Sequence, residues 1–190
     1  MMRTPVKILA VVGLPGAGKS VTVRHFLEKT GWARVYFGAV VFEEMDRRGL
    51  PVNEANERAV REELRTTYGM GMCATLTLPK LKALLAEGRS VCIESLYSWE
   101  EYATLKREFG DSFRVLAILA SPETRKARMA ARLDERPLTP AEVESRDYAQ
   151  IENLHQAGPI ARADYFIVNE STLDELYRGV DTVIEEVSGA

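Results

Sequence analysis

Val6-Lys7-Ile8-Leu9-Ala10-Val11-Val12-Gly13-Leu14-Pro15-Gly16-Ala17-Gly18-Lys19-Ser20 is the stretch that decides the fold. Its second half, Gly13 to Ser20, fits the pattern G-x-x-x-x-G-K-[ST]. A nearly continuous apolar run leads in and an amphipathic run leads out, so the segment predicts a buried strand, a phosphate-binding loop and a helix. Glycines let backbone N–H groups converge on phosphate oxygens without Cβ clashes, and the helix N-terminus adds the positive end of its dipole. On this reading Gly13, Leu14, Pro15, Gly16, Ala17, Gly18, Lys19, Ser20 and Val21 hold the phosphates of a nucleotide. Lys19 reaches the β- and γ-phosphates and the Ser20 hydroxyl ligates Mg²⁺.

Further short apolar runs follow: Arg34–Phe37, Ser90–Ile93, Phe113–Leu119 and Asp164–Val168. Longer helical patterns separate them, over 19–30, 39–49, 53–69, 72–87, 98–109, 122–133, 140–156 and 171–187. Alternation of this kind predicts an α/β fold with a mainly parallel sheet. Several helix starts have local causes. Asn53 caps the third helix, while Ser121-Pro122 and Thr139-Pro140 each pair an N-cap with proline at the first helical position. Ser171 with Asp174 has capping-box spacing for the last helix. Pro79 lies inside a helical pattern and predicts a kink or two short helices. Leu133–Leu138 reads as a polar loop.

The 190 residues are 46% hydrophobic and 28% charged, with a net charge of -3, which fits a single globular domain over 1–190. No apolar run approaches the roughly 20 residues needed to cross a bilayer, and no secretory leader pattern is seen, so the expectation is a cytoplasmic protein. Cys73 and Cys92 form neither a disulfide framework nor a metal set. The acidic balance disfavours nucleic acid as a partner, since non-specific affinity for it comes from surplus cations. The chain carries 18 arginines against 7 lysines, and the planar guanidinium suits bidentate phosphate contacts.

Val91-Cys92-Ile93-Glu94 is an apolar run ending in a carboxylate, the place for an acid that holds Mg²⁺ beside a phosphate loop. Arg125, Arg128 and Arg132 share a helical face, with Arg136 and Arg146 beyond. They fold over a phosphate chain on the functional reading and pair with surface carboxylates on the other. Tyr36, Phe37, Tyr97 and Trp99 gather near the ends of two strands, as packing or as the wall of a pocket. His25 and His155 lack partners at metal-binding spacing.

Taken together, Gly13–Ser20, Tyr36-Phe37-Gly38, Glu43-Glu44, Arg48-Gly49, Glu63-Leu64-Arg65, Pro79-Lys80-Leu81, Ala120-Ser121-Pro122-Glu123-Thr124-Arg125, Arg146-Asp147 and Ala163–Glu170 resemble a little-characterised archaeal-type family of P-loop kinases related to adenylate kinases and dephospho-CoA kinases. The resemblance spans nearly the whole chain. It implies a P-loop NTPase fold of the nucleoside-monophosphate-kinase kind, with a five-stranded parallel sheet in the order 2-3-1-4-5 flanked by helices. An acceptor-binding helical segment falls at about 39–88 and a lid at about 125–146.

The implied activity is transfer of the γ-phosphoryl group of ATP to a nucleotide-like small molecule, by a monomer or homodimer. Lys19, Glu94, Arg128 and Arg132 are then catalytic, Ser20 and Glu94 hold the metal, and Asn169 contacts the adenine or else caps the last helix. Two departures favour the alternative of a non-catalytic or slowly hydrolysing nucleotide-binding regulator. The family places Asp where this chain has Ala39, and Asp-Gly-x-Arg where it has Glu94-Ser95-Leu96-Tyr97. Glu94, Glu43 and Glu44 are the candidates to replace the missing carboxylate.

Overall fold

The computed structural model describes residues 5–132 and 137–189. Most of the expected polar loop, including Arg136, lies outside the described residues. Five strands, β1 (Ile8–Val12), β2 (Ala33–Tyr36), β3 (Val91–Glu94), β4 (Phe113–Leu119) and β5 (Tyr165–Val168), form one parallel sheet in the order β2-β3-β1-β4-β5. The helices are α1 (Lys19–Thr30), α2 (Ala39–Arg47), α3 (Glu54–Tyr68), α4 (Met72–Ala86), α5 (Trp99–Phe109), α6 (Pro122–Ala130), α7 (Pro140–Tyr148), α8 (Ala157–Ala161) and α9 (Leu173–Ser188).

Side chains of a strand alternate between the faces of its sheet, and the core divides accordingly. Ile8, Ala10 and Val12 of β1 face one apolar cluster with Ile93, Val115, Leu81 of α4 and Leu105 of α5. Leu9 and Val11 face the other, with Leu116, Phe26 of α1 and Val180 of α9. Central strands covered on both faces explain the unbroken apolar runs. The edge strands β2 and β5 alternate in burial instead. Helices α2, α3 and α4 share a separate cluster built on Val41, Met45, Val60, Leu64 and Met72.

Caps at Asn53, Ser121 and Thr139 form as expected, the last as a full capping box. Three expectations need correction. The last helix is capped by Thr172, whose hydroxyl accepts from the Glu175 amide; the capping spacing recurs one residue beyond Ser171. Of the two alternatives at Pro79, a kink or two short helices, the second is excluded, since Pro79 lies inside the single helix α4. Met72, Ala74, Thr77 and Leu81 of that helix are buried, and this packing offsets the backbone hydrogen bond that proline forfeits. The helix expected over 140–156 ends at Tyr148, passes through a π-helical stretch at Ala149–Asn153, and is followed by the unforeseen α8.

Candidate functional site

The loop after β1 turns through three glycines with positive φ. A Cβ on Gly13 (φ +146°) would sit 2.4 Å from the Ile118 carbonyl oxygen. On Gly18 (φ +108°) it would sit 2.5 Å from the Asn169 Nδ2. The loop is therefore pressed against β4, α6 and the turn after β5 with no room for side chains. Its carbonyls are held from behind: the Asn169 amide donates to Ala17 O at 2.8 Å, Arg125 Nη1 to Pro15 O at 3.3 Å, and Gln156 Nε2 to Gly13 O at 3.4 Å. Among the described residues no acceptor serves the amides of Gly16, Gly18, Lys19 and Ser20, which leaves a cradle of donors at the N-terminus of α1. Lys19 Nζ donates to Leu14 O at 3.1 Å. Burial, with the charge of Arg125 second, brings the Lys19 pKa down from 10.5 to about 8. A cation held this far from solvent gains most from a phosphate anion.

The cradle opens into a cleft of about 340 Å³ whose walls include Lys19, Ser20, Val21, Glu94, Arg128, Arg132 and Arg146. Sequence reasoning named all of these, and the fold brings them together. Glu94 arrives because β3 lies parallel to β1 with Glu94 in register with Val11. Its Oε2 accepts from Arg34 Nε at 2.7 Å and Nη2 at 2.6 Å, a contact to β2 that sequence reasoning did not foresee. Arg128 Nη2 donates to Asn169 Oδ1 at 3.4 Å, whereas its buried Nη1 has no partner.

Arg125 behaves differently from the set it was grouped with. Its side chain is buried, donating to Ala120 O at 3.1 Å and pairing with Asp147 at 2.7 Å. It ties α6 and α7 to the back of the loop. The Asn169 side chain also supports the loop from behind. Glu43 and Glu44, offered as replacement carboxylates, stand away from the cleft: Glu43 lies 3.7 Å from Lys80, and Glu44 is clamped by Arg47 and Arg48. That clamp holds the Glu44 carboxyl down at about 2.

Beside the cleft lies a second cavity of about 280 Å³. Ser95, Tyr97 and Gln150 line both spaces, so the two are neighbours. Of the four aromatics only Tyr36 and Tyr97 line it; Phe37 is buried in the core and Trp99 stacks on Tyr102 with ring centres 5.2 Å apart. Arg61 and Arg65 of α3 enter it, as do Glu57 and Glu101. Glu101 is buried and accepts from the amides of Tyr97 at 2.8 Å and Ser98 at 3.1 Å; burial pushes its carboxyl pKa up. Arg61, Arg65, Glu101 and Gln150 were all missed by sequence reasoning. Only Glu101 carried a local signal, the Ser98-x-x-Glu101 capping box.

The residues present suit the groups that a phosphate loop implies. A glycine loop seated tightly from behind, four unpaired amides and an orphaned guanidinium nitrogen match a phosphate chain. The Ser20 hydroxyl and Glu94 carboxylate are oxygen donors of the kind a hard cation takes. Among the described residues no group of three His, Cys, Asp or Glu forms a metal centre. Mg²⁺ beside nucleotide phosphates needs only one or two protein oxygens.

Comparison with known proteins agrees with this architecture. Residues 12–146 match a family model described as an AAA domain. A UPF0200 protein of Thermococcus sibiricus is 35% identical over 182 residues, covering 95% of each chain. Among solved structures, a gluconokinase from Sinorhizobium meliloti superposes with a TM-score of 0.61 at 14% identity, covering 99% of this chain and 96% of the other. A dephospho-CoA kinase from Campylobacter jejuni does so with a TM-score of 0.57 at 15% identity, covering 97% and 98%. These two likenesses establish a shared P-loop kinase-like fold. With that fold, the AAA-domain match and near full-length similarity to relatives in Thermococcus, the chain belongs to the archaeal UPF0200 family of P-loop proteins.

Proposed function

We propose that the chain is an ATP-dependent phosphotransferase that moves the γ-phosphoryl group of ATP to a nucleotide-like small molecule, as adenylate and dephospho-CoA kinases do. The observation that carries this reading is the pair of adjacent spaces that share a wall. A cradle suited to a phosphate chain lies next to a second cavity of metabolite size, with Ser95, Tyr97 and Gln150 lining both.

Each site residue then has a role. The loop amides and Lys19 bind the phosphates, and Lys19 exchanges its hydrogen bond to Leu14 O for a phosphate oxygen. Arg128, Arg132 and Arg146 face the same cleft and neutralise charge on the transferring group. Ser20 and Glu94 are the residues that would hold Mg²⁺, which supplies charge neutralisation at the β- and γ-phosphate oxygens. The acceptor oxygen bonds to the γ-phosphorus as the bond to the β–γ bridging oxygen breaks. ADP leaves with that electron pair, and the acceptor's proton passes to the Glu94 carboxylate. The segments 39–88 and 125–146 serve as acceptor-binding part and lid.

A coupled assay of ATP consumption against nucleoside monophosphates, dephospho-CoA and sugar acids tests this reading. The wild type should turn over with at least one of them, and Lys19→Ala should lower that turnover by about 100-fold or more. Ala39, the first residue of α2 and not a carboxylate, favours the second reading of a slowly hydrolysing or non-catalytic nucleotide-binding regulator. Tight ATP binding with acceptor-independent consumption across the whole panel would decide for that second reading.

A further inference from the structure

The second cavity has a chemical character of its own. Its wall between α2, α4 and the π-helical stretch is apolar, formed by Val41, Phe42, Met72 and Leu154. On the α3 side stand Arg61 and Arg65, one helical turn apart and so on one face. Arg61 has a carboxylate neighbour in Glu57 at 3.8 Å, too far for a good hydrogen bond. Arg65 is half-buried, and among the described residues no carboxylate lies within 4.0 Å of its guanidinium. That contrasts with Arg48 on the neighbouring α2–α3 surface, which is saturated by Glu44 and Glu63.

The buried carboxylate of Glu101 feels the charge of Arg65 but makes no ion pair with it within 4.0 Å. Glu101 accepts from two backbone amides and fixes the turn that presents Tyr97. A half-buried guanidinium with no carboxylate in contact, facing a cavity, gains from an anion that arrives there. A second, separate observation points the same way. Gln150, at the end of the cavity that meets the phosphate cleft, has a buried Oε1 with no hydrogen-bond partner and lies in a π-helical stretch, a distortion frequent at functional sites. A guanidinium with no carboxylate in contact and an acceptor with no donor, lining one cavity, describe a ligand with an acid group and a hydroxyl.

We propose that this cavity binds a small hydroxylated anion, a carboxylate or a phosphate monoester, with its acid group on Arg65 and Arg61 and its hydroxyl towards Gln150. The proposal rests on the phosphotransferase reading and names the class of acceptor for it.

The test keeps the two readings apart by occupying the phosphate cleft first. With a non-hydrolysable ATP analogue and Mg²⁺ at saturation, calorimetry measures binding of 5′-AMP against adenosine and of gluconate against glucose. Inorganic phosphate and acetate serve as minimal probes. The expected result is that one anionic probe binds at least about tenfold more tightly than its neutral partner. Arg65→Met should erase that preference, Arg65→Lys should restore part of it, and the analogue affinity should stay within about twofold in both variants. The 5′-AMP and gluconate arms tell phosphate from carboxylate. Equal binding of anionic and neutral probes, no anion binding at millimolar concentration, or an unchanged preference in Arg65→Met would each overturn the proposal while leaving the phosphotransferase reading intact. Failure of the analogue itself to bind would instead remove the phosphotransferase reading, and this proposal with it.

Discussion

The phosphate cleft and the cavity beside it touch, yet they are built on opposite plans. The cleft is made by the backbone of one contiguous segment, Gly13 to Ser20, with the side chains that line it added from β3, α6 and α7. The cavity is made by side chains drawn from positions as distant as Tyr36 and Leu154. A backbone site requires particular residue types at fixed spacing, because a Cβ on Gly13, at φ +146°, would lie 2.4 Å from a neighbouring carbonyl oxygen and only glycine avoids that. A side-chain site has no such spacing; any arginine that the fold delivers will serve. The first plan is rigid and shared across folds of this kind. The second is free to vary with the acceptor.

If that contrast is correct, the largest loss should come from a single methyl group in the backbone site. Gly13→Ala combines an unfavourable φ with a collision against Ile118 O, which is backbone in the central strand β4 and cannot move aside. The expected cost is about 3 kcal/mol of folding stability. Urea unfolding measures it, and a loss below about 1 kcal/mol would show that the loop is less tightly seated than its contacts indicate.

Next in size is Glu94→Gln, which preserves shape and removes the charge that, on the proposed reading, would hold metal and receive the proton. A fall of about 100-fold in kcat is expected, with affinity for the ATP analogue nearly unchanged. Arg34, released from Glu94, is more than half exposed and stays solvated, so the fold should not suffer. Unaltered kcat would mean that Glu94 is only Arg34's partner. Arg128→Lys keeps the charge beside the cradle and loses the planar fork. It should lower kcat/KM about tenfold, and wild-type kinetics in this variant would return Arg128 to a role in holding Asn169.

The same contrast explains what could be read from the sequence. The strand pattern, the sheet and the phosphate loop were legible because each is written in consecutive residues: apolar runs for buried strands, glycines for the loop, Asn53 or Ser121-Pro122 for a helix start. Glu94 was legible because a parallel sheet sets the carboxyl end of β3 beside that of β1. Arg125 was misjudged because helical spacing gives a face but not what the face meets, and here it meets Asp147 and the loop carbonyl of Pro15. Arg65 and Gln150 were illegible for a related reason. One is an ordinary helical arginine and the other lies where the expected helix widens into a π-turn, and neither has meaning until α3 and that turn come together around one cavity.

The smallest expected effect lies at the seam between the two spaces. Ser95 has φ +72°, a left-handed conformation that costs a non-glycine residue roughly 1–2 kcal/mol. The pattern that the chain resembles has glycine here, which this backbone angle makes physically sensible. Ser95→Gly removes that strain, loses part of the gain to the greater entropy of an unfolded glycine, and forfeits the weak 3.3 Å hydrogen bond from the Tyr97 hydroxyl to Ser95 Oγ. The balance should be a stabilisation of about 0.5 kcal/mol in urea unfolding. Acceptor KM should rise as the Tyr97 ring loses its tether, and ATP-analogue affinity should not move. A variant that is less stable by 1 kcal/mol or more would mean that the Ser95 hydroxyl holds the seam together, and the strained serine would then belong to the side-chain site rather than to the backbone one.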